Sequence, residues 1–272
     1  MLHQLAYINW NATPEIVKIG SFALRWYGLL FAAGFFMGLL IVTRMFKAEN
    51  APEQWLDKVF ISMIVGAVVG ARLGHVFFYE WGYYSQHPGE IIKVWQGGLA
   101  SHGGAIGVII ALWIFSRFTA RRSILWILDK VVVPTALAGC FIRIGNLFNS
   151  EILGKKADVA WAFVFKRLPP DQQFPRHPVQ IYESLSYLLS FFILYRVYWH
   201  TDKKDKPGYM FGLFMVLIWG FRFIWEFFKE SQGGFETALG NSLTTGQWLS
   251  IPFVLIGLYF MFRPGSKAAG KA

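Results

Sequence analysis

A long apolar run of this sequence ends in Phe141-Ile-Arg-Ile-Gly-Asn-Leu-Phe-Asn-Ser-Glu-Ile-Leu-Gly154, where charged and amide side chains follow one another closely. At about 100° per residue, a helix through this stretch places Arg143, Asn146 and Ser150 on one face. One interpretation is an interfacial helix end whose arginine extends into the lipid headgroups. The other is a buried polar site, and the remaining segments decide between the two.

The composition predicts an integral membrane protein. Of 272 residues, 55% are apolar, 18% are aromatic and only 15% are charged, which is not the balance of a soluble domain. The net charge of +10 is spread between apolar segments, which favours cytoplasmic loops over a nucleic-acid surface. Cys140 is the only cysteine, so the chain has no internal disulfide and no CxxC metal site. The N-terminal residues lack the pattern of a cleavable signal peptide.

Seven windows are long enough to cross the hydrocarbon core of a bilayer, which is roughly 30 Å thick and takes about 20 helical residues. They lie near residues 22–44, 56–79, 98–117, 125–147, 180–199, 208–228 and 246–263. The predicted fold is therefore an all-α integral membrane protein with seven transmembrane helices, in a single polytopic domain formed by residues 1–272.

The distribution of positive charge predicts the orientation of these helices. Lys and Arg are frequent in the loops after the first, third and fifth windows and in the C-terminal tail. The sixth loop is poorer, with Lys229 set against Glu230 and Glu236. We therefore expect the N-terminus outside and the C-terminus in the cytoplasm. Two external parts follow from this orientation: the N-terminal segment 1–21 and an insertion at 152–179, expected to fold as a small subdomain.

Polar residues that interrupt the apolar windows fall near the outer ends of six of them. An ionisable group at mid-bilayer costs about 2.5–3.5 kcal/mol by insertion scales, so several at one depth predict a shared, buried polar cavity. The residues are Tyr27, Arg72, His75, His102, Arg143, Asn146, Asn149, Glu151, Gln180, Tyr182, Glu183, Arg222 and Glu226.

Several of these residues also have a purely structural interpretation. Arg222 and Glu226 lie four residues apart and can neutralise each other on one helix face. Arg72 can pair with Glu80, and Tyr27 can be an interfacial aromatic residue. Asp129, beside Lys130, is more typical of an interfacial charge than of a site.

Glycines surround His102 in the stretch Gln96-Gly-Gly-Leu-Ala-Ser-His-Gly-Gly-Ala-Ile-Gly107. They allow a ligand or a neighbouring backbone to approach closely, which makes His102 a candidate functional residue. The chain contains no GxGxxG motif after a strand, no P-loop and no HExxH motif. The sequence therefore predicts no nucleotide, cofactor or metal site.

Five sequence features are distinctive in their order and spacing along the chain: Arg25–Gly28, Trp95–Gly98 with His102–Gly104, Arg143 with Gly145–Gly154, Arg176–Glu183, and the pair Arg222 and Glu226. Taken together, they resemble the bacterial prolipoprotein diacylglyceryl transferases. The resemblance covers nearly the whole chain. The sequence departs from the family pattern at Gln96, Ile142, Lys155 and Ile218.

The resemblance implies a multi-pass enzyme of the bacterial plasma (inner) membrane. Such an enzyme transfers the diacylglyceryl group of phosphatidylglycerol to the lipobox cysteine thiol of a prolipoprotein, forming a thioether and releasing glycerol phosphate. The implied partners are phosphatidylglycerol, the signal peptide that carries the lipobox cysteine, and membrane lipids. No cofactor, metal or nucleic acid is implied.

The chemistry of this reaction suggests roles for the residues. Arg143 and Arg222 are expected to hold the phosphodiester, because guanidinium groups are planar and always charged. His102 is the candidate base for the incoming thiol. The expected substrate-binding residues, which orient the arginines and headgroup or line the lipid path, are Tyr27, Asn146, Asn149, Glu151, Gly154, Gln180, Glu183 and Glu226.

Two other functions use the same polar residues differently. A transporter or flippase for an anionic lipid or small molecule would use the arginines as a binding site, but it predicts broken spans or inverted repeats. A non-catalytic membrane scaffold would not need polar residues at six helix ends. Neither pattern fits the sequence as well as the transferase.

Overall fold

The computed structural model describes residues 7–20, 22–230 and 242–264 and has a helix at each of the seven predicted windows. The helices are α1 (Trp26–Ala48), α2 (Gln54–Phe78), α3 (Ser101–Ile114), α4 (Ile124–Asn149), α5 (Val179–His200), α6 (Tyr209–Trp225) and α7 (Thr245–Phe262). A π-helical segment, Phe115–Ala120, continues α3, and a 3-10 turn, Glu226–Phe228, continues α6.

Six of these helices are long and apolar enough to cross a membrane, counting only the described part of the chain. The exception is α5, whose 22 residues would suffice by length. Its hydropathy is lowered by the buried polar residues Gln180, Glu183, Ser184, Ser186 and Ser190. The predicted helical membrane class is confirmed, with six candidate spans. Apolar composition does not mark α5 as a span, because one face of this helix is polar.

Four short strands accompany the helices: β1 (Ile8–Trp10), β2 (Glu15–Ile19), β3 (Phe22–Arg25) and β4 (Phe163–Phe165). β2 pairs with β3 in antiparallel fashion, and β1 pairs with β4 in parallel. The N-terminal segment and the insertion at 152–179 thus share one small sheet.

Aromatic packing anchors this sheet to the end of α4. The indole Nε1 of Trp10 donates to the carbonyl of Leu147 at 3.0 Å. Leu147 also forms a buried cluster with Phe163 and Phe165 of β4. The insertion is therefore held against the same helix end that carries the polar residues of the predicted site.

The chain divides into two compact units, residues 39–128 and residues 1–38 with 129–272. The first contains α2 and α3 entire, and the second contains α5, α6, α7 and all four strands. Residues 1–6 and 21 of the predicted external segment, and Glu236 of the sixth loop, lie outside the described residues.

Glycines bring α2 and α3 into direct backbone contact within the unit 39–128. A Cβ added at Gly70 would lie 2.7 Å from Cα of Gly107, and one added at Gly74 would lie 2.7 Å from Cα of Gly103. Because no side chain fits in these gaps, the small residues set the close approach of the two helices.

Arg72, near the end of α2, organises the connection that leads to α3. Its side chain is buried and donates at 2.7–2.8 Å to the carbonyl oxygens of Glu90, Ile91 and Gly97. Glu80, expected as a structural partner of Arg72, instead lies 3.3 Å from Nε2 of His75. Arg72 therefore has a structural role, but its partners are backbone carbonyl groups.

Asp129 caps the start of α6 from inside the second unit. The side chain is only 3% exposed, and its two carboxylate oxygens accept from the backbone N–H groups of Gly208 and Phe211, at 2.6 and 2.9 Å. The expectation of an interfacial charge is wrong, because the free N–H groups at the start of a helix offer a buried carboxylate two donors.

Candidate functional site

The end of α4 presents Glu151 on a strained turn. Ser150 and Ile152, on either side of it, have φ angles of 56° and 57°, and this left-handed conformation costs a non-glycine residue about 1–2 kcal/mol. The Glu151 carboxylate accepts from Nδ2 of Asn146 and Nδ2 of Asn149, both at 3.1 Å. Two amide donors thus fix the orientation of this carboxylate.

Gln180, at the start of α5, ties that helix to the same turn. Its Nε2 donates to the backbone carbonyl of Glu151 at 2.7 Å. The side chain is fully buried, and its Oε1 has no hydrogen-bond partner. Gln180 therefore holds the turn in place and retains one acceptor that a ligand could use.

Arg143 lies beside these residues and pairs with α5. Its Nε is 2.9 Å from Oε2 of Glu183, and its Nη1 donates to Oδ1 of Asn146 at 3.3 Å. The contact with Glu183 is an ion pair without hydrogen-bond alignment. The guanidinium also faces the ring of Tyr187, 5.8 Å from its centroid. With 12% of its side chain exposed, Arg143 does not snorkel into headgroups but belongs to a buried polar cluster.

Lys229 connects Arg143 to the other candidate arginine. Its Nζ lies 3.3 Å from Oε1 of Glu183 and 3.3 Å from Oε1 of Glu226. Only 4% of its side chain is exposed. This lysine, expected to be an ordinary loop charge, is one of the most buried groups of the site.

The ion pair between Arg222 and Glu226 is present, with Nη2 and Oε1 3.6 Å apart. It is not a simple mutual neutralisation, because Lys229 contacts the same carboxylate oxygen. The hydroxyl of Thr244 donates to the other oxygen of Glu226 at 3.4 Å. Arg222 keeps a buried Nε without a hydrogen-bond partner, so part of its donor capacity is unused.

Two backbone segments pair to carry Lys229 into the cluster. The segment 153–155 runs antiparallel to 228–230, with N–H···O distances of 2.8 and 3.0 Å. Gly154 is at the centre of this pairing, opposite Lys229. A Cβ at Gly154 would overlap the carbonyl of His177 and lie 2.9 Å from its Cβ. The position therefore requires glycine.

Tyr27, near the start of α1, packs on α4 between the polar residues. A Cβ added at Gly145 would lie 2.8 Å from Cδ2 of Tyr27. The absence of a side chain at Gly145 thus lets the phenol ring approach the helix, between Arg143 and Asn146 in sequence.

His102 belongs to the unit 39–128, in the first turn of α3. Its ring is exposed and contacts Phe78 and Tyr79, with centroids 5.6 and 5.7 Å away. Tyr79 also stacks on His75, at 5.9 Å. His102 is thus part of an aromatic group of its own unit, and its role as a base stays a prediction.

Most of the predicted site residues come together in the second unit. These are Tyr27, Arg143, Asn146, Asn149, Glu151, Gly154, Gln180, Glu183, Arg222 and Glu226. Two members of the cluster, Lys229 and Tyr187, were not predicted.

Charge alternates through the cluster, in the order Arg143, Glu183, Lys229, Glu226 and Arg222. Burial lowers the pKa of His177, which packs against Gly154, from its ordinary value. In the described part of the chain, His, Cys, Asp and Glu side chains form no group able to hold a metal ion. The charged cluster can bind an anion through its guanidinium and ammonium groups.

Fold and site define a class: a helical membrane protein with a buried, charged cluster that can hold an anionic group. A family model described as "Prolipoprotein diacylglyceryl transferase" matches residues 14–263. The chain is 46% identical to the phosphatidylglycerol–prolipoprotein diacylglyceryl transferase of Tolumonas auensis, over 96% of this chain and 98% of that protein. It is 45% identical to the protein of the same name from Chloroherpeton thalassium, over 97% and 96% of the two chains. The chain belongs to the prolipoprotein diacylglyceryl transferase family.

Proposed function

We propose that this protein transfers the diacylglyceryl group of phosphatidylglycerol to the cysteine thiol of a prolipoprotein, in the membrane. The observation that carries the proposal is the buried cluster in which Glu183, Lys229 and Glu226 connect two arginines. Relatives that match nearly the whole chain carry the name of this activity.

The reaction needs a group that binds a phosphodiester and stabilises the charge of the departing phosphate. Arg143 and Arg222 fit this need because a guanidinium presents several N–H donors in one plane to phosphate oxygens. Donors held in place in a site that excludes water are worth about 3–4 kcal/mol each in the transition state. The carboxylates of Glu183 and Glu226 hold the guanidinium groups in position before substrate arrives.

The bond changes are those of a single displacement. The cysteine sulfur attacks the carbon of the diacylglyceryl unit that bears the phosphate. A C–S bond forms, and the bond between this carbon and the phosphate oxygen breaks. The electron pair leaves with the phosphate oxygen as glycerol phosphate, beside the arginines. The thiol proton passes to a base, for which we propose His102, since imidazole accepts protons near neutral pH.

The remaining predicted residues are proposed to position the donors and the lipid. Asn146, Asn149 and Gln180 fix the strained turn of Glu151. Gly154 allows the backbone pairing that places Lys229. Tyr27 lines the lipid path along α4.

One assay tests the proposed function against its main rival. Purified protein is mixed with vesicles containing phosphatidylglycerol and a peptide carrying a lipobox cysteine, and the peptide mass is measured. A mass increase equal to one diacylglyceryl group is the expected result. Movement of phosphatidylglycerol between leaflets without that increase would instead identify a flippase.

Replacement of His102 by glutamine is expected to lower kcat about a hundredfold at neutral pH, because general-base catalysis contributes about 10²–10⁴. The loss should shrink as pH rises toward the ordinary thiol pKa of about 8.5, where the substrate ionises without help. Turnover of His102→Gln is measured from pH 6 to 9 alongside a matched exposed-histidine variant, His87→Gln. A constant loss across that range would eliminate the base role and leave the arginines unaffected.

We further propose that all seven helices cross the membrane in one polytopic domain, with the N-terminus outside and the C-terminus in the cytoplasm. The support is the excess of Lys and Arg after the first, third and fifth windows. In this arrangement, residues 1–21 and 152–179 are external.

Labelling with a membrane-impermeant maleimide tests this topology. In a Cys140→Ala background, Lys166→Cys of the insertion should react in intact cells. Lys204→Cys, after α5, should react only after permeabilisation. Both side chains are exposed, so burial does not interfere. The opposite pattern would reverse the orientation.

A further inference from the structure

Lys229 contacts both carboxylates that hold the candidate arginines. Its Nζ is equidistant, at 3.3 Å, from Oε1 of Glu183 and Oε1 of Glu226. Each of those carboxylates also faces one arginine, Arg143 at 2.9 Å or Arg222 at 3.6 Å. Lys229 is thus the one group that links the two arginine–glutamate pairs among the described residues.

Lys229 supplies the excess positive charge of the cluster. The cations are Arg143, Lys229 and Arg222, and the carboxylates that they contact are Glu183 and Glu226. Without Lys229, two arginines would face two carboxylates, and each guanidinium would be neutralised by its own carboxylate. The cluster would then keep no excess positive charge for an anionic headgroup.

The backbone pairing, and not the side-chain conformation alone, sets the buried position of Lys229. The residue lies in the paired segment 228–230, opposite Gly154. A buried ammonium is costly unless it is paired, and here the fold holds it between two carboxylates.

We propose that Lys229 is a positioning residue for phosphatidylglycerol binding, which keeps both arginines oriented and the site receptive to phosphate. This inference rests on the proposed function. Lys229 acts through Glu183 and Glu226 and is not itself required to contact the substrate. Loss of Lys229 should therefore alter the affinity for phosphatidylglycerol only, whereas loss of an ordinary stabilising ion pair would lower the amount of folded protein.

The test uses Lys229→Met, Lys229→Gln and Lys229→Arg in the full chain, with Lys166→Met, an exposed lysine of the insertion, as the matched control. Steady-state rates are measured against phosphatidylglycerol and against the lipobox peptide. Lys229→Met should raise KM for phosphatidylglycerol at least about tenfold and leave KM for the peptide unchanged, since loss of one member of a buried charge pair costs tenfold or more. Lys229→Arg should restore KM to within about threefold.

The outcomes separate the two proposals. An unmodified protein without transfer activity would refute the proposed function itself. The positioning role alone would be overturned if Lys229→Met is active with both KM values unchanged. In that case its activity would fall only with the amount of folded protein. If Lys229→Met does not fold, Lys229→Gln should show the same rise in KM for phosphatidylglycerol. Its amide can still donate to a carboxylate but has no charge.

Discussion

Replacement of Arg143 by methionine is expected to lower kcat/KM for phosphatidylglycerol about a thousandfold. The side chain is 12% exposed and paired with Glu183, so its loss removes a phosphate donor and leaves a buried carboxylate without its arginine. Removing one such preorganised donor costs about 10²–10³ in rate, and the unpaired carboxylate adds to the loss. Initial rates of peptide lipidation in vesicles measure the effect.

Two variants show whether charge alone explains that loss. Arg143→Lys keeps the charge but not the planar group of donors, and we expect it to recover no more than a tenth of the activity. Arg167→Met removes an exposed arginine of the insertion and should change the rate less than twofold. Full activity of Arg143→Met would remove Arg143 from the proposed phosphate site.

Replacement of Gly154 by alanine is expected to abolish activity and destabilise the fold by about 3 kcal/mol, the upper end of the usual cost of overpacking at a rigid contact. The added Cβ would overlap the carbonyl of His177. The backbone cannot move away easily, since it pairs with 228–230 and its carbonyl accepts from Arg176 at 3.2 Å. Thermal unfolding in detergent and vesicle activity are measured together.

Gly220→Ala, within α6, is the matched control for this variant. A Cβ at Gly220 would meet no atom within 4 Å, and alanine favours a helix over glycine by about 1 kcal/mol. This control should retain activity and unfold no earlier than the unmodified protein. Equal behaviour of the two variants would show that the Gly154 contact is not rigid.

The position of the site was predictable where charged residues interrupt an apolar helix. Arg143 and Asn146 stand three residues apart in an otherwise apolar run, and burying them requires partners from other helices. Helical periodicity also predicts Ser150 on the face of Arg143 and Asn146. The helix instead ends at Asn149, and the left-handed turn at Ser150 directs Glu151 back toward Asn146. Helical periodicity cannot anticipate a turn that tertiary contacts hold in a strained conformation.

Lys229 could not be assigned from its neighbours in sequence. Beside Glu230 and Glu236 it has the composition of a solvated loop. Its burial depends on the pairing of 228–230 with 153–155, segments separated by more than 70 residues. No local pattern encodes that pairing. Likewise, the polar face of α5 lowers its hydropathy although the helix is long enough to span a bilayer.

The parallel pairing of β1 with β4 has a consequence for biogenesis. About 150 residues separate Trp10 from Phe163, and at roughly 5–20 residues per second their synthesis takes roughly 8–30 s. A hairpin, by comparison, closes in about 1–10 μs. During that interval the nascent β1 lacks its hydrogen-bonding partner, so the N-terminal strand stays open to chaperones or proteases until the second half of the chain emerges.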